Sequence, residues 1–145
     1  MELQQTVEAL TAVLKNETAA ARDMEAVLTR KRSAFVRWHT GDLAAVVAEE
    51  EGIIASLNRL EKERVAHVRT LSRRYGKMLS MKEVLAYYPS DELFEAYDDL
   101  RTVSARVIRW NNQNRDLVQS SLTFVRRTLG AITGNFRYKL LDQKV

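Results

Sequence analysis

No cysteine occurs in this chain, which excludes disulfides, thiolate metal sites and cysteine nucleophiles. One proline and five glycines are too few for the many turns of a sheet-rich protein of 145 residues. The two histidines, His39 and His67, have no His or Cys partner at ligand spacing, and no Glu is followed three positions on by His, as di-iron helical bundles require. A phosphate-binding glycine loop, G-x-S-x-G and H-E-x-x-H are all missing. The start, Met1-Glu2-Leu3-Gln4-Gln5, lacks the basic and apolar regions of a signal peptide. No apolar run approaches the roughly 20 residues of a membrane span. These absences predict a protein that is not an enzyme, needs no cofactor or metal and does not insert into membranes.

Charge is spread rather than gathered: 23 basic and 19 acidic residues intermix to a net +4. Arg30-Lys31-Arg32, Arg73-Arg74, Glu49-Glu50-Glu51 and Asp98-Asp99 read as solvated helix faces. Nucleic acid is not an expected partner, because basic residues do not collect on one face with aromatics between them. Arg22, Arg37 and Arg64 are expected to lay their stems over apolar surface and keep their heads wet.

What is present is helix. Steps of four and three pick out Leu3, Val7, Leu10, Leu14, Glu17, Ala21, Met24, Leu28, Lys31, Phe35 and Trp38, a heptad seam interrupted only at Glu17 and Lys31. This predicts a first long helix over about 3–38. At Gly41 a left-handed residue is expected to end it, and Asp42 to cap the next. The second seam is Leu43, Val46, Glu50, Ile53, Leu57, Leu60, Arg64, Val68, Leu71, Tyr75 and Met78, again with two charged positions. It predicts a helix over about 43–75, antiparallel to the first across a short break. Residues 76–89 form an irregular connection, in which Ser80-Met81-Lys82-Glu83 has capping-box spacing and heads a short helix. Val84, Leu85, Tyr87 and Tyr88 are expected to lay that helix over one end of the bundle. Ser90 caps a third long helix over about 91–132, with Asp91 and Glu92 in its first turn, and a tail follows over 133–145. The expected fold is all-α: a single domain of three long amphipathic helices, an antiparallel hairpin with a third helix along it, coiled-coil-like.

The third helix carries a stripe of Leu100, Val103, Val107, Asn111, Asn114, Val118, Ser121, Val125, Leu129 and Ile132. Beside it Trp110, Leu117 and Phe124 recur every seven residues, so the apolar arc is wider than one packing seam requires. The tail Phe136-Arg137-Tyr138-Lys139-Leu140-Leu141 is still hydrophobic. Asn111 and Asn114 on an apolar stripe have two readings: they set helix register, or they bond a partner.

The run Arg109-Trp110-Asn111-Asn112-Gln113-Asn114-Arg115-Asp116-Leu117-Val118-Gln119-Ser120-Ser121-Leu122 resembles the late-helix motif of the FlgN family of flagellar export chaperones. That family shares an Asn-x-x-Asn-x-x-Leu pattern and a Ser-Leu pair, matched by Asn111, Asn114, Leu117, Ser121 and Leu122, and a Tyr-containing tail, here around Tyr138. A Gly that the pattern would place shortly after that Tyr is missing from Leu140 to Val145. The resemblance implies a cytoplasmic chaperone that binds hook-associated (hook–filament junction) proteins through their C-terminal helical segments. It would keep them unassembled and deliver them to the flagellar type III export apparatus. The residues expected to meet the partner are Leu129, Ile132, Phe136, Tyr138, Leu140, Leu141, Asn111, Asn114, Leu117 and Leu122, and the same C-terminal region would also permit self-association. The competing expectation is a structural helical-bundle subunit that assembles through its long seams, with no chaperone role.

Overall fold

The computed structural model describes residues 2–133, the side chains of Leu129, Ala131, Ile132 and Thr133 excepted. The fold is all-α: α1 (Glu2–Val36), α2 (Thr40–Ser72), a single 3₁₀ turn (Arg73–Tyr75), α3 (Met81–Tyr87) and α4 (Asp91–Thr133). The chain divides into two units, Met1–Trp110 and Asn111–Val145.

In the first unit α1 and α2 form the antiparallel hairpin that the two seams predict. Leu10, Leu14, Glu17, Ala21, Met24 and Leu28 are buried along α1, as are Val46, Leu60, Val68 and Leu71 along α2. The four charged interruptions turn out to be each other's partners. The Arg64 guanidinium donates to the Glu17 carboxylate at 3.0 and 3.2 Å. The Lys31 ammonium donates to Glu50 at 3.1 Å, and Arg30 pairs with Glu49 one position earlier on each helix. The two interruptions stand fourteen residues apart on both helices, with signs in opposite order on approach through the turn. Antiparallel pairing therefore matches acid to base at both levels. A slip of one heptad would instead set Glu17 against Leu57 or Leu71, and Arg64 against Leu10 or Met24. Burying a charge against leucine costs several kcal/mol, so the pairs fix the register. Arg64 thus departs from the wet-headed expectation and Glu50 from the solvated one, while Glu49 stays on the solvated face.

Glu17 is 5% exposed. Burial pushes its carboxyl above the usual carboxylate range, and the Arg64 guanidinium beside it pulls part of the way back. Buried Thr11 and Thr18 cause no such cost, since their hydroxyls donate to the carbonyls of Val7 and Leu14 at 2.8 Å.

The break between α1 and α2 differs from expectation. Trp38, not Gly41, takes the left-handed conformation, with φ 59°. The amide of His39 donates to the carbonyl of Ala34 at 3.1 Å and that of Trp38 to Phe35 at 3.2 Å, the two bonds of a Schellman end. Gly41 lies inside α2, and Asp42 is no cap: it sits in the first turn, its carboxylate 3.2 Å from Nδ1 of His39. The turn closes three residues early because α1's last carbonyls are satisfied there. Trp38 stacks on Phe35 at 5.9 Å yet is 70% exposed.

The connection after α2 is a plug. Gly76 reverses the chain at φ 66°, so Leu79 rather than Met78 enters the core. The Ser72 hydroxyl donates to the Val68 carbonyl at 2.6 Å and accepts the Leu79 amide at 3.0 Å. Ser80 and Glu83 close the expected capping box on α3, and Val84 is fully buried. The Tyr88 hydroxyl donates to the Leu71 carbonyl at 2.9 Å, and Tyr87 stacks on Tyr75 at 4.3 Å while remaining half outside. The Ser90 hydroxyl accepts the Leu93 amide at 3.3 Å and starts α4 as predicted. Leu93 and Ala96 then complete one cluster with Leu10, Leu14, Val68, Leu71, Leu79 and Val84. Arg106 bonds Glu25 at 2.8 Å, and the Arg32 guanidinium lies 5.9 Å over the Trp110 ring, so α1 is held on both flanks within this unit.

Three outcomes follow for stability. Arg64→Glu should cost about 3 kcal/mol in urea unfolding, the low end for a buried pair because Arg64 keeps some solvent contact, and adding Glu17→Arg should restore most of it. The raised Glu17 pKa means that the folded state holds this proton more tightly than the unfolded chain. Its contribution is therefore greatest below the ordinary carboxylate pKa and is lost as pH rises through the raised value. Unfolding midpoints of Glu17→Gln against pH should lack that decline. Finally, Trp38→Gly should raise stability by about 1 kcal/mol in a thermal melt, since it relieves a left-handed bulky residue at an exposed position.

Candidate functional site

The second unit is built on the C-terminal part of α4. Its polar side is ordinary helix surface: Asn112, Arg115, Asp116, Gln119, Ser120, Thr123 and Arg127 are exposed. Arg115 bonds the Asn112 side chain at 3.1 Å, and the hydroxyls of Thr123 and Thr128 donate back to the carbonyls of Gln119 and Phe124 at 3.0 and 2.9 Å.

The other side is apolar and open. Val118, Leu122 and Val125 follow at spacings of four and three, each more than a third exposed, while Phe124, 71% exposed, stands off this stripe among Asp116, Gln119, Ser120, Thr123 and Arg127. This stripe runs about 10 Å along the helix at 1.5 Å per residue. In the first unit the same stripe is closed, for Leu93, Ala96 and Val103 are buried. One helix thus changes along its length from a core element to a presented apolar face.

The residues expected from sequence distribute unevenly over this face. Asn114 is buried at 7% exposure, Leu117 is half-buried and Leu122 stands at 36%. Asn111 is exposed, which corrects its assignment to a buried stripe: it shares the helix face of Val118 and Leu122, and that face is open here. Leu129 and Ile132 lie within α4 by backbone. Phe136, Tyr138, Leu140 and Leu141 lie outside the described residues. Val118 and Val125 belong to the face, though the sequence offers them only as stripe positions. Their signal was the widened arc itself, since a side chain that continues a seam with nothing to cover it looks the same in sequence as a buried one.

Groups that could do chemistry are sparse. Among the described residues, no three His, Cys, Asp or Glu side chains stand close enough to hold a metal ion. His39 is exposed at the hairpin turn beside Asp42, and His67 is half-buried on α2. Glu83 has its carboxyl held below the usual range by Lys77 and by the Ser80 amide, a capping arrangement rather than an acid–base pair. No described helix is long and apolar enough to cross a membrane.

No curated protein and no solved structure matches the chain. The family model described as FlgN protein matches residues 1–138, nearly the whole length. The late-helix Asn and Leu pattern, the two-seam hairpin and the long final helix all fall within that match, and the chain belongs to the FlgN family of flagellar export chaperones.

Proposed function

We propose that this protein acts without catalytic turnover in the cytoplasm. It binds hook-associated, hook–filament junction proteins through their C-terminal helical segments, keeps them unassembled and brings them to the flagellar type III export apparatus. The observation that carries this reading is the open apolar face Val118–Leu122–Val125, on the helix that bears the family motif. Such a face is unfavourable in water and suited to receiving an amphipathic helix at spacings of three and four. Leu117, Leu122, Asn111 and Asn114 border or belong to it, and Leu129, Ile132, Phe136, Tyr138, Leu140 and Leu141 extend the binding region toward the tail.

The structural-subunit reading would use the long seams of α1 and α2 for assembly. Those seams are consumed inside the chain, where Glu17, Arg64, Lys31 and Glu50 complete one another. A bundle subunit also has no use for the open stripe Val118, Leu122 and Val125 on its last helix.

Calorimetry against the C-terminal helical segment of a hook–filament junction protein tests the proposal. Leu122→Asp with Val125→Asp should weaken binding by about tenfold or more while leaving the thermal melt nearly unchanged, because both positions are already exposed. Deleting Phe136 to Val145 should abolish binding at little cost in stability. Full affinity in the charge variant would remove the α4 face from the site, and full affinity in the deletion would remove the tail.

A further inference from the structure

A second surface lies in the first unit, where α1 begins, α3 ends and α4 begins. An open cavity of about 700 Å³ separates them. Its floor is apolar, made by the half-buried Leu3, Val7 and Tyr88, which rest on the main core. Tyr87 and Pro89 form one wall. These walls are held in advance, Tyr87 by stacking on Tyr75 and Tyr88 by its bond to the Leu71 carbonyl.

The rim is charged and mostly of one sign. Glu8, Asp91 and Glu92 stand there against a single cation, Arg74, in a chain whose net charge is +4. All four are exposed, and among the described residues none of them is held in an ion pair. Asp91 and Glu92 also suit the first turn of α4, where the helix dipole favours acids. Glu8, two turns into α1, has no such role. Nothing in the cavity resembles a small-molecule site, which converges a few buried polar groups on a ligand. The charged lining groups all point to solvent, and the Ser90 hydroxyl already caps α4. An apolar floor under an acidic rim matches the two faces of a basic amphipathic helix.

We propose that this cavity docks a basic amphipathic helix of a partner protein. Its apolar side chains would lie on Leu3, Val7, Tyr87 and Tyr88, and its lysines or arginines over Glu8, Asp91 and Glu92. None of the cavity's lining residues belongs to the α4 face, so a measurement can tell the two surfaces apart.

The test uses the full chain and a fluorescent Leu/Lys amphipathic peptide of about 18 residues, long enough to form a helix on docking. A Leu/Glu peptide of the same length is the counterpart. Anisotropy at ~0.1 M salt should show binding of the Lys peptide and none of the Glu peptide. Glu8→Lys with Glu92→Lys should weaken the Lys peptide by about tenfold or more. Glu51→Lys with Glu63→Lys changes net charge equally at exposed sites on α2 and should leave the affinity within about twofold. Methyl spectra should shift at Leu3 and Val7. The proposal is overturned if the control pair weakens binding as much as the rim pair, or if the Lys peptide does not bind. It is equally overturned if the shifts fall on Val118, Leu122 and Val125, or if the rim pair abolishes self-association in ultracentrifugation, which would make a second copy the occupant. None of these results bears on cargo affinity, so failure here leaves the proposed function standing.

Discussion

The pairing of α1 with α2 is the constraint on which the first unit rests, and its register is decided by charge rather than by leucine. A seam of similar apolar residues can slide by heptads at little cost, because each Leu finds another Leu. Glu17 with Arg64 and Lys31 with Glu50 remove that freedom, since a slip of one heptad strands these charges against apolar side chains. Only in this register do Leu10 and Leu14 meet Val68 and Leu71 at the level where Leu79, Val84, Leu93 and Ala96 close the core. Buried pairs of this kind add little net stability compared with apolar replacements, and here their value lies in specification.

The connection between α2 and α4 converts that register into a platform for the last helix. Gly76 supplies the left-handed reversal, Ser72 bridges the end of α2 to Leu79, and Tyr88 reaches back to Leu71. Each bond satisfies a backbone or side-chain group that would otherwise lose its partner at a buried helix end. The outcome is a fixed starting point for α4 beside Leu93 and Ala96, and a helix that begins rigidly in a core. A presenting helix gains from such a base, because a surface ordered beforehand loses less entropy on binding.

A chaperone needs apolar surface that its own fold does not consume, and α4 meets this need by outrunning its packing. The helix forms throughout on propensity and backbone bonding, while burial along one stripe varies from Leu93, fully buried, to Val118 and Val125, each more than a third exposed. The polar side of the same segment carries the exposed charged and amide side chains of Asn112, Arg115, Asp116, Gln119 and Arg127.

Much of the fold was legible in the sequence because it is governed by local rules. The 3.6-residue period located all three long helices, Ser80 with Glu83 announced α3, and Ser90 announced α4, each through bonds among residues three or four apart. The widened arc past Trp110 and the Asn-x-x-Asn-x-x-Leu run pointed to the last helix as the surface of interest. Other features depended on which segment came to lie beside which. Glu17, Lys31, Glu50 and Arg64 looked like defects in two seams until the hairpin set them opposite one another. Trp38 displaced Gly41 at the turn because the carbonyls of Ala34 and Phe35 were the ones left to satisfy, a matter of where α1 ceased to be covered. Asn111 and Asn114 share one stripe and one residue type, yet one is exposed and the other buried, because burial is a property of neighbours. The acidic rim over Leu3 and Val7 joins residues more than eighty positions apart, and only tertiary structure could bring Glu8 to Asp91 and Glu92.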